Sequence, residues 1–332
     1  MTPFPFVSVI VPTYNRAQVL PYLFQALAQQ VYPTDRMELI VVDNSSSDDT
    51  QAVFERWQAV FRFAAAFYRK DNKGPAVSRN YGAARARGDI LAFTDSDCVP
   101  APSWISEAVI GFARGAGMVC GPITPKQRPG AAGLMAAQLD PVVNDRGLYP
   151  TANLFVKGTA FAAVGGFDDR FGLYPWGELV AGEDVDLAWR VLRSGERAMF
   201  VATASVDHLS TRLTVTQLLL RPVRIQIFPR LLRTVPELRS KYLWHGYFVS
   251  SARPAFYLAG AGFVVVAATG TWPFVLCVAP WLAIHSRGTV SSLLSHGRVL
   301  KAIAWLAILA WLDTLTTAVL VFGSLRHRRV VL

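Results

Sequence analysis

GDILAFTDSDCVP, residues 88–100, is an apolar run that ends in two carboxylates, Asp95 and Asp97, and then turns at Pro100 and, just beyond, Pro102. A short apolar run closed by turn-forming residues reads as a buried strand. Three similar runs precede it: VSVIVP from Val7, ELIVVD ending at Asp43, and FRFAAAFY from Phe61 to Tyr68. Between and after these runs, residues 17–29, 49–59, 75–86 and 103–113 have helical spacing. Strands alternating with helices predict an α/β fold with a mostly parallel central sheet covered by helices. Ligands of such sheets gather at the carboxyl edge, which is where Asn15, Asp43 and Asp95 fall.

Two carboxylates leaving one strand end together suit a hard divalent cation that bridges to diphosphate oxygens. A solvated acidic turn or a helix cap fits the same bare motif. Further along, EDVDLAWRVLRSG, residues 183–195, reads as a helix: Val185, Leu187, Ala188, Val191 and Leu192 form an apolar stripe, and Gly195 is the stop. Its acidic start puts Glu183 and Asp184 at a helix N-terminus, where negative charge is favoured. Residues 121–182 are rich in Gly and Pro and are expected to form the acceptor side. Within them, the Gly165-Gly166 turn is expected to shape a loop, and Trp176 fits either sugar stacking or packing.

The chain has 332 residues, 52% hydrophobic and only 17% charged, and its mean hydropathy is positive. The formal net charge of +10 is not evenly spread. Residues 1–208 hold 19 Lys/Arg against 21 Asp/Glu; residues 209–332 hold 14 against two, Glu237 and Asp313. The excess thus lies beside the apolar segments, which points to an anionic membrane surface and not to nucleic acid, for which no reading motif occurs. Residues 211–247 mix Leu, Ile and Phe with Arg and are broken by Pro222, Pro229 and Pro236, as expected of amphipathic helices on a membrane surface.

Residues 255–284 are uncharged and residues 302–323 carry one charge, Asp313, so each stretch exceeds the roughly 20 residues that span a bilayer. Two spans or three fit, with residues 255–284 forming either an unbroken tilted span or a re-entrant hairpin divided at Gly270 and Pro273. The closing basic residues favour a cytosolic C-terminus. The start lacks a secretion signal, and Cys98, Cys120 and Cys277 have neither disulfide nor zinc spacing, so a catalytic domain on the cytosolic face of the cell membrane is expected. The expected organisation is a domain over 1–208, with halves at about 1–100 and 101–208, then interfacial helices over 209–253 and membrane-spanning helices over 254–332.

VSVIVPTYNRAQVLPYLFQALAQQ, ELIVVDNSSSDDT, GPAVSRNYGAARARGDILAFTDSDC, VGGFDDRF and GEDVDLAWRVLRSG agree in order and spacing with the motifs of one family. Over residues 5–210 the chain resembles the family 2 glycosyltransferases, which implies a GT-A, Rossmann-like nucleotide-sugar-binding domain and inverting transfer from a nucleotide-diphosphate-sugar. The resemblance further implies that Pro12, Tyr14 and Asn15 line a base and ribose pocket, and that Asp43 hydrogen-bonds the nucleobase. Arg79 would approach the donor ribose or diphosphate, and Asp95 the metal and sugar. It implies Mn²⁺ or Mg²⁺ held by Asp95, Asp97 and His208, and Asp184, beside Glu183, as general base.

From the residues alone, Asp43 also fits a turn cap, His208 a core or interfacial histidine, and the acidic pair a helix cap. No QxxRW follows the acidic pair, unlike in processive, polymer-extruding relatives, and the tail is short for their channel, so non-processive transfer is expected. The expected acceptor is a membrane lipid or lipid-linked glycan. A catalytically inactive, membrane-anchored nucleotide-sugar sensor or scaffold is the alternative, and intact Asp97 and Asp184 speak against it.

Overall fold

The four predicted strands form and pair in parallel. β1 (Val7–Thr13) lies between β2 (Met37–Asp43) and β4 (Ile90–Phe93), with β3 (Ala64–Arg69) outside β2. These relations come from a computed structural model that describes residues 4–71, 74–128, 141–170, 182–210 and 214–332. The chain divides into two units, Met1–Leu213 and Thr214–Leu332.

In the first unit every residue of β1 and β2 is buried, which is why both read as continuous β-branched runs without alternation. β3 borders the sheet, is half-exposed, and starts three residues later than its apolar run suggested. The remaining strands are β5 (Cys98–Pro100), β6 (Met118–Cys120), β7 (Ile123–Gln127), β8 (Leu154–Lys157), β9 (Ala198–Phe200) and β10 (Val206–Ser210). Seven strands make one sheet in the order β3-β2-β1-β4-β8-β6-β9, in which β8 is antiparallel to both its neighbours and the other pairings are parallel. A small second sheet, β5-β10-β7, pairs Cys98 with His208.

Helices α1 (Leu20–Ala28), α2 (Thr50–Gln58), α3 (Pro75–Ala83) and α4 (Trp104–Ala113) lie inside the four predicted helical segments. α3 comes close to the sheet because Gly82 has no side chain: a Cβ there would lie 2.7 Å from Ile10 Cγ2. α5 (Gly158–Ala163) follows β8, and α6 (Glu183–Arg193) is the predicted acidic helix. α6 buries Val185, Leu187, Ala188 and Val191 of the predicted stripe, together with Trp189.

The second unit comprises α7 (Val215–Leu220), α8 (Ile227–Thr234), α9 (Leu238–Lys241), α10 (Arg253–Thr269), α11 (Ala279–His285), α12 (Ser291–Ser295) and α13 (Val299–His327). Proline breaks the basic region as expected, with a 3₁₀ turn Arg221–Gln226 around Pro222. Residues 255–284 do not form an unbroken helix: Gly270 takes the left-handed conformation at φ 70° and ends α10, and a 3₁₀ turn, Trp272–Val278, leads into α11. Only α13, among the described residues, is long and apolar enough to cross a membrane.

Candidate active site

β1, β2 and β4 deliver their C-terminal residues to one edge of the sheet. Pro12 is buried within β1, opposite Val42, whereas Tyr14 and Asn15, beyond the strand, are exposed. Asn15 sits in the left-handed region at φ 52°, which asparagine tolerates. Its backbone N–H donates to Ser46 Oγ at 2.7 Å, and its side-chain oxygen accepts from Ser47 N at 2.8 Å. The loop after β1 is thereby tied to the loop after β2.

Asp43 closes β2 and is only 1% exposed. Its carboxylate accepts from Ser46 N at 3.1 Å and from the Ser46 hydroxyl, and Arg69 Nε approaches it at 3.8 Å. The group caps its own turn at the end of β2.

Arg79 decides the electrostatics. It lies on α3, is 3% exposed, and divides its fork: Nη2 donates to Asp95 Oδ1 at 2.7 Å and Nη1 to Glu183 Oε1 at 2.9 Å. Its guanidinium also stands 5.7 Å from the Phe167 ring centroid. Although burial disfavours the charge, Asp95 and Glu183 outweigh it and hold the guanidinium above its ordinary pKa. Arg79 therefore joins the end of β4 to the start of α6, and both terminal nitrogens expected to reach the donor are occupied by carboxylates.

Asp97 is 8% exposed; Arg16 Nη2 lies 3.4 Å from one of its oxygens and His208 Nε2 3.5 Å from the other. Burial raises its pKa, with His208 and Arg16 opposing that rise. His208 reaches the site because β10 pairs with β5 at Cys98, so period-two alternation puts Cys98 and His208 on one face and Val99 and Asp207 on the other. One ligand atom each of Asp95, Cys98 and His208 lie within 4.8 Å of one another. His208 Nδ1 is buried without a hydrogen-bond partner. Burial pushes the Cys98 thiol well above its ordinary pKa, and the carboxylate and imidazole beside it are the harder donors of the group. Carboxylate and imidazole donors suit manganese or magnesium.

Gly182, at φ 104°, makes the sharp entry into α6, and Glu183 and Asp184 occupy its first turn. Asp184 is driven up to about 7, first by burial and then by the neighbouring Glu183 charge, against a hydrogen bond from Val185 N and the attraction of Arg79. A carboxyl shifted in this way can exchange a proton near neutral pH. α3 also holds the loop after α5: Asn80 accepts from Phe167 N at 2.9 Å and donates to Phe167 O and Asp169 Oδ1, both at 2.8 Å. Gly165 and Gly166, at φ 78° and 70°, make that turn possible, as expected of a loop-shaping pair.

Residues 8–167 match the family model described as Glycosyl transferase family 2. Residues 8–167 are a glycosyl transferase family 2 segment within the first unit. Among curated relatives, the glycosyltransferase AglE of Haloferax volcanii is 29% identical over 203 residues, covering 59% of this chain and 64% of that protein. The pre-mycofactocin glycosyltransferase of Mycobacterium tuberculosis is 26% identical over 223 residues, covering 61% and 42%. The chain thus matches less than two thirds of the length of either relative. The mannosyltransferase PcManGT from Pyrobaculum calidifontis, solved with GDP-Man and Mn²⁺, superposes with a TM-score of 0.55 at 20% identity over 94% of this chain and 86% of that one, which establishes the shared GT-A-like fold.

Within the first unit, Asp95, Asp97, His208, Arg79 and Glu183 converge, with Asp184 next in the chain; Arg79, Asp95 and Asp97 lie inside the matched residues 8–167. Asn15 and Asp43 form a separate group around Ser46, with Tyr14 next to Asn15 in the chain. Sequence reasoning missed Arg16, Ser46, Asn80 and Cys98. Arg16 follows Asn15 directly and Ser46 lies three residues after Asp43, so a search for partners beside each strand end would have found both. Asn80 carried no signal, because its partners lie 87 and 89 residues away. Trp176 lies outside the described residues.

Proposed function

We propose that this chain transfers a sugar, with inversion, from a nucleotide-diphosphate-sugar to a hydroxyl of a membrane-associated acceptor, a lipid carrier or a lipid-linked glycan. One observation carries the reading: Arg79 ties Asp95, on the donor side, to Glu183, which adjoins the raised carboxyl of Asp184. The donor-side group and the base are positioned by one buried guanidinium.

In this reading Asp184 takes the proton from the acceptor hydroxyl as that oxygen attacks the anomeric carbon from the face opposite the departing nucleotide. Tyr14 and Asn15 border the base and ribose, with Pro12 behind them in β1 and Asp43 orienting the nucleobase edge. Asp95, Asp97 and His208 would hold Mn²⁺ or Mg²⁺, which when bound supplies positive charge for the leaving diphosphate. Arg79 positions Asp95 and Glu183 instead of binding the phosphates itself. Transfer is non-processive. The second unit, with its 13 Lys/Arg against two acids and α13 as an apolar helix, attaches the domain to an anionic membrane surface on the cytosolic side.

The test uses the full chain in detergent with a panel of UDP-, GDP- and dTDP-sugars, Mn²⁺ or Mg²⁺, and membrane lipid extract as acceptor. Metal-dependent nucleotide release from one donor, abolished in Asp97→Ala and Asp184→Asn while Asp184→Asn still binds donor, is the expected result. Donor binding without turnover in the wild type with any acceptor would leave a sensor or scaffold in its place.

A further inference from the structure

The segment 254–284 contains no Asp, Glu, Lys or Arg, yet its two ends converge on one carboxylate. At the entry, Arg253 Nη1 donates to Asp313 Oδ1 at 2.9 Å and to the Asp313 carbonyl at 3.2 Å. At the exit, Trp281 Nε1 donates to Asp313 Oδ2 at 2.8 Å, and His285 Nε2 lies 3.3 Å from the same oxygen. The second arm of Arg253 is taken by Tyr257 OH at 3.1 Å and Thr317 Oγ1 at 2.5 Å. Two ends held by one residue lie at one depth. Between them the chain reverses at Gly270 and the legs pack closely, since a Cβ on Gly262 would lie 2.5 Å from Cys277 Cβ.

The outside of this hairpin is apolar and open: Phe263 and Trp272 are each 73% exposed and Leu276 66%. Leaving such surface in water forgoes about 25 cal/mol per Å² of burial. Neither leg spans a bilayer, because α10 has 17 residues and the return leg, Trp272–His285, is shorter still, against the roughly 20 required. The charged groups all collect at the base, where Arg, Trp and Tyr suit the headgroup region, while the two tip threonines, Thr269 and Thr271, hydrogen-bond to each other and Thr269 donates to Val265 O. Irregular backbone over 244–252, immediately before Arg253, belongs at that level too, since lipid-exposed irregular chain is not tolerated in hydrocarbon. The 14 Lys/Arg of residues 209–332 select an anionic leaflet.

We propose that Arg253–His285 is a re-entrant hairpin that enters one leaflet of an anionic phospholipid membrane and returns to the same face, its two ends clamped at the headgroup level by Asp313 of α13. This rests on the membrane attachment proposed above, and the experiment separates the two. The full chain is bound from outside to preformed vesicles of phosphatidylcholine and phosphatidylglycerol, in a Cys277→Ala background that leaves only the buried Cys98 and Cys120. Ser251→Cys, Thr271→Cys and Ser286→Cys are introduced one at a time, and each is treated with a membrane-impermeant maleimide after flotation.

Flotation is expected, with Ser251→Cys and Ser286→Cys both labelled from outside and Thr271→Cys protected until detergent is added. Protection of only one of the two base positions would mean that the segment crosses the bilayer, and free labelling of Thr271→Cys would put the tip in water; either overturns the hairpin while leaving attachment intact. A chain that stays at the bottom of the gradient removes attachment and hairpin together. Adding Asp313→Ala is expected to abolish the protection of Thr271→Cys while flotation persists; undiminished protection overturns the clamp.

Discussion

Arg79 in the first unit and Arg253 in the second are equally buried, at 3% exposure, and both answer carboxylates, but their surroundings balance differently. Around Arg79 and Arg16 stand four carboxylates, Asp95, Asp97, Glu183 and Asp184, so two guanidiniums leave negative charge uncompensated, and the Asp95 side chain remains 30% exposed. Around Asp313 the balance runs the other way, with Arg253, Trp281 and His285 all directed at one carboxylate. A surplus of buried carboxylate is costly unless something positive arrives, whereas a carboxylate matched by its own cation is a joint. The first arrangement is built to receive a ligand and the second to hold helices.

The largest effect that would sharpen this contrast is Asp184→Asn, expected to lower turnover by about 10²–10⁴-fold with donor affinity retained, read as nucleotide release against donor titration. Next, Arg79→Met strands two carboxylates and should destabilise the first unit by about 3–5 kcal/mol, measured by denaturant unfolding. No second substitution should restore its activity, because the carboxylates Arg79 holds are themselves required. Arg253→Met alone should cost the second unit a comparable amount, but Arg253→Met with Asp313→Leu should recover most of it, since a buried ion pair can be replaced by apolar groups at little cost. If the Arg79 variant were rescued by neutralising Asp95 and Glu183, the contrast would collapse.

The pH dependence is gentler. With Asp184 raised to about 7, the base is protonated in acid, so turnover should fall as pH drops through about 7, and Asp184→Asn should lack that limb. Stability runs in the opposite sense: a folded-state pKa above the unfolded value of 3.8 means the fold binds this proton more tightly than the open chain. Its contribution is therefore complete in acid and is lost as pH rises from about 4 through about 7, an increment that Asp184→Asn removes in chemical denaturation at different pH. The smallest expected effect is Asn80→Ala, which takes three hydrogen bonds from the Phe167 turn and should cost about 1–3 kcal/mol, read as a lowered denaturation midpoint.

What the sequence determined by itself was whatever is periodic or local. Continuous burial wrote β1, β2 and β4 as unbroken apolar runs, and 3.6-residue spacing wrote α1 to α4 and α6. The carboxylates at strand and helix ends were legible for the same reason, since a chain leaving a sheet edge must place its next polar residue there. Gly270 was visible as a divider of residues 255–284, but nothing in composition chose between a span and a hairpin.

Tertiary structure alone decided the pairings. Arg79 meets Glu183 across 104 residues of chain, and His208 meets Asp97 only because β10 lies antiparallel to β5 in that register. Arg253 meets Asp313 only through the folding of the hairpin between them. Such contacts leave no period in the sequence: each depends on the closure of a long loop whose ends are brought together by burial elsewhere. A titratable residue could thus be read as a candidate from its position, but not as guanidinium-paired, imidazole-facing or clamped until the sheet and helices were in place.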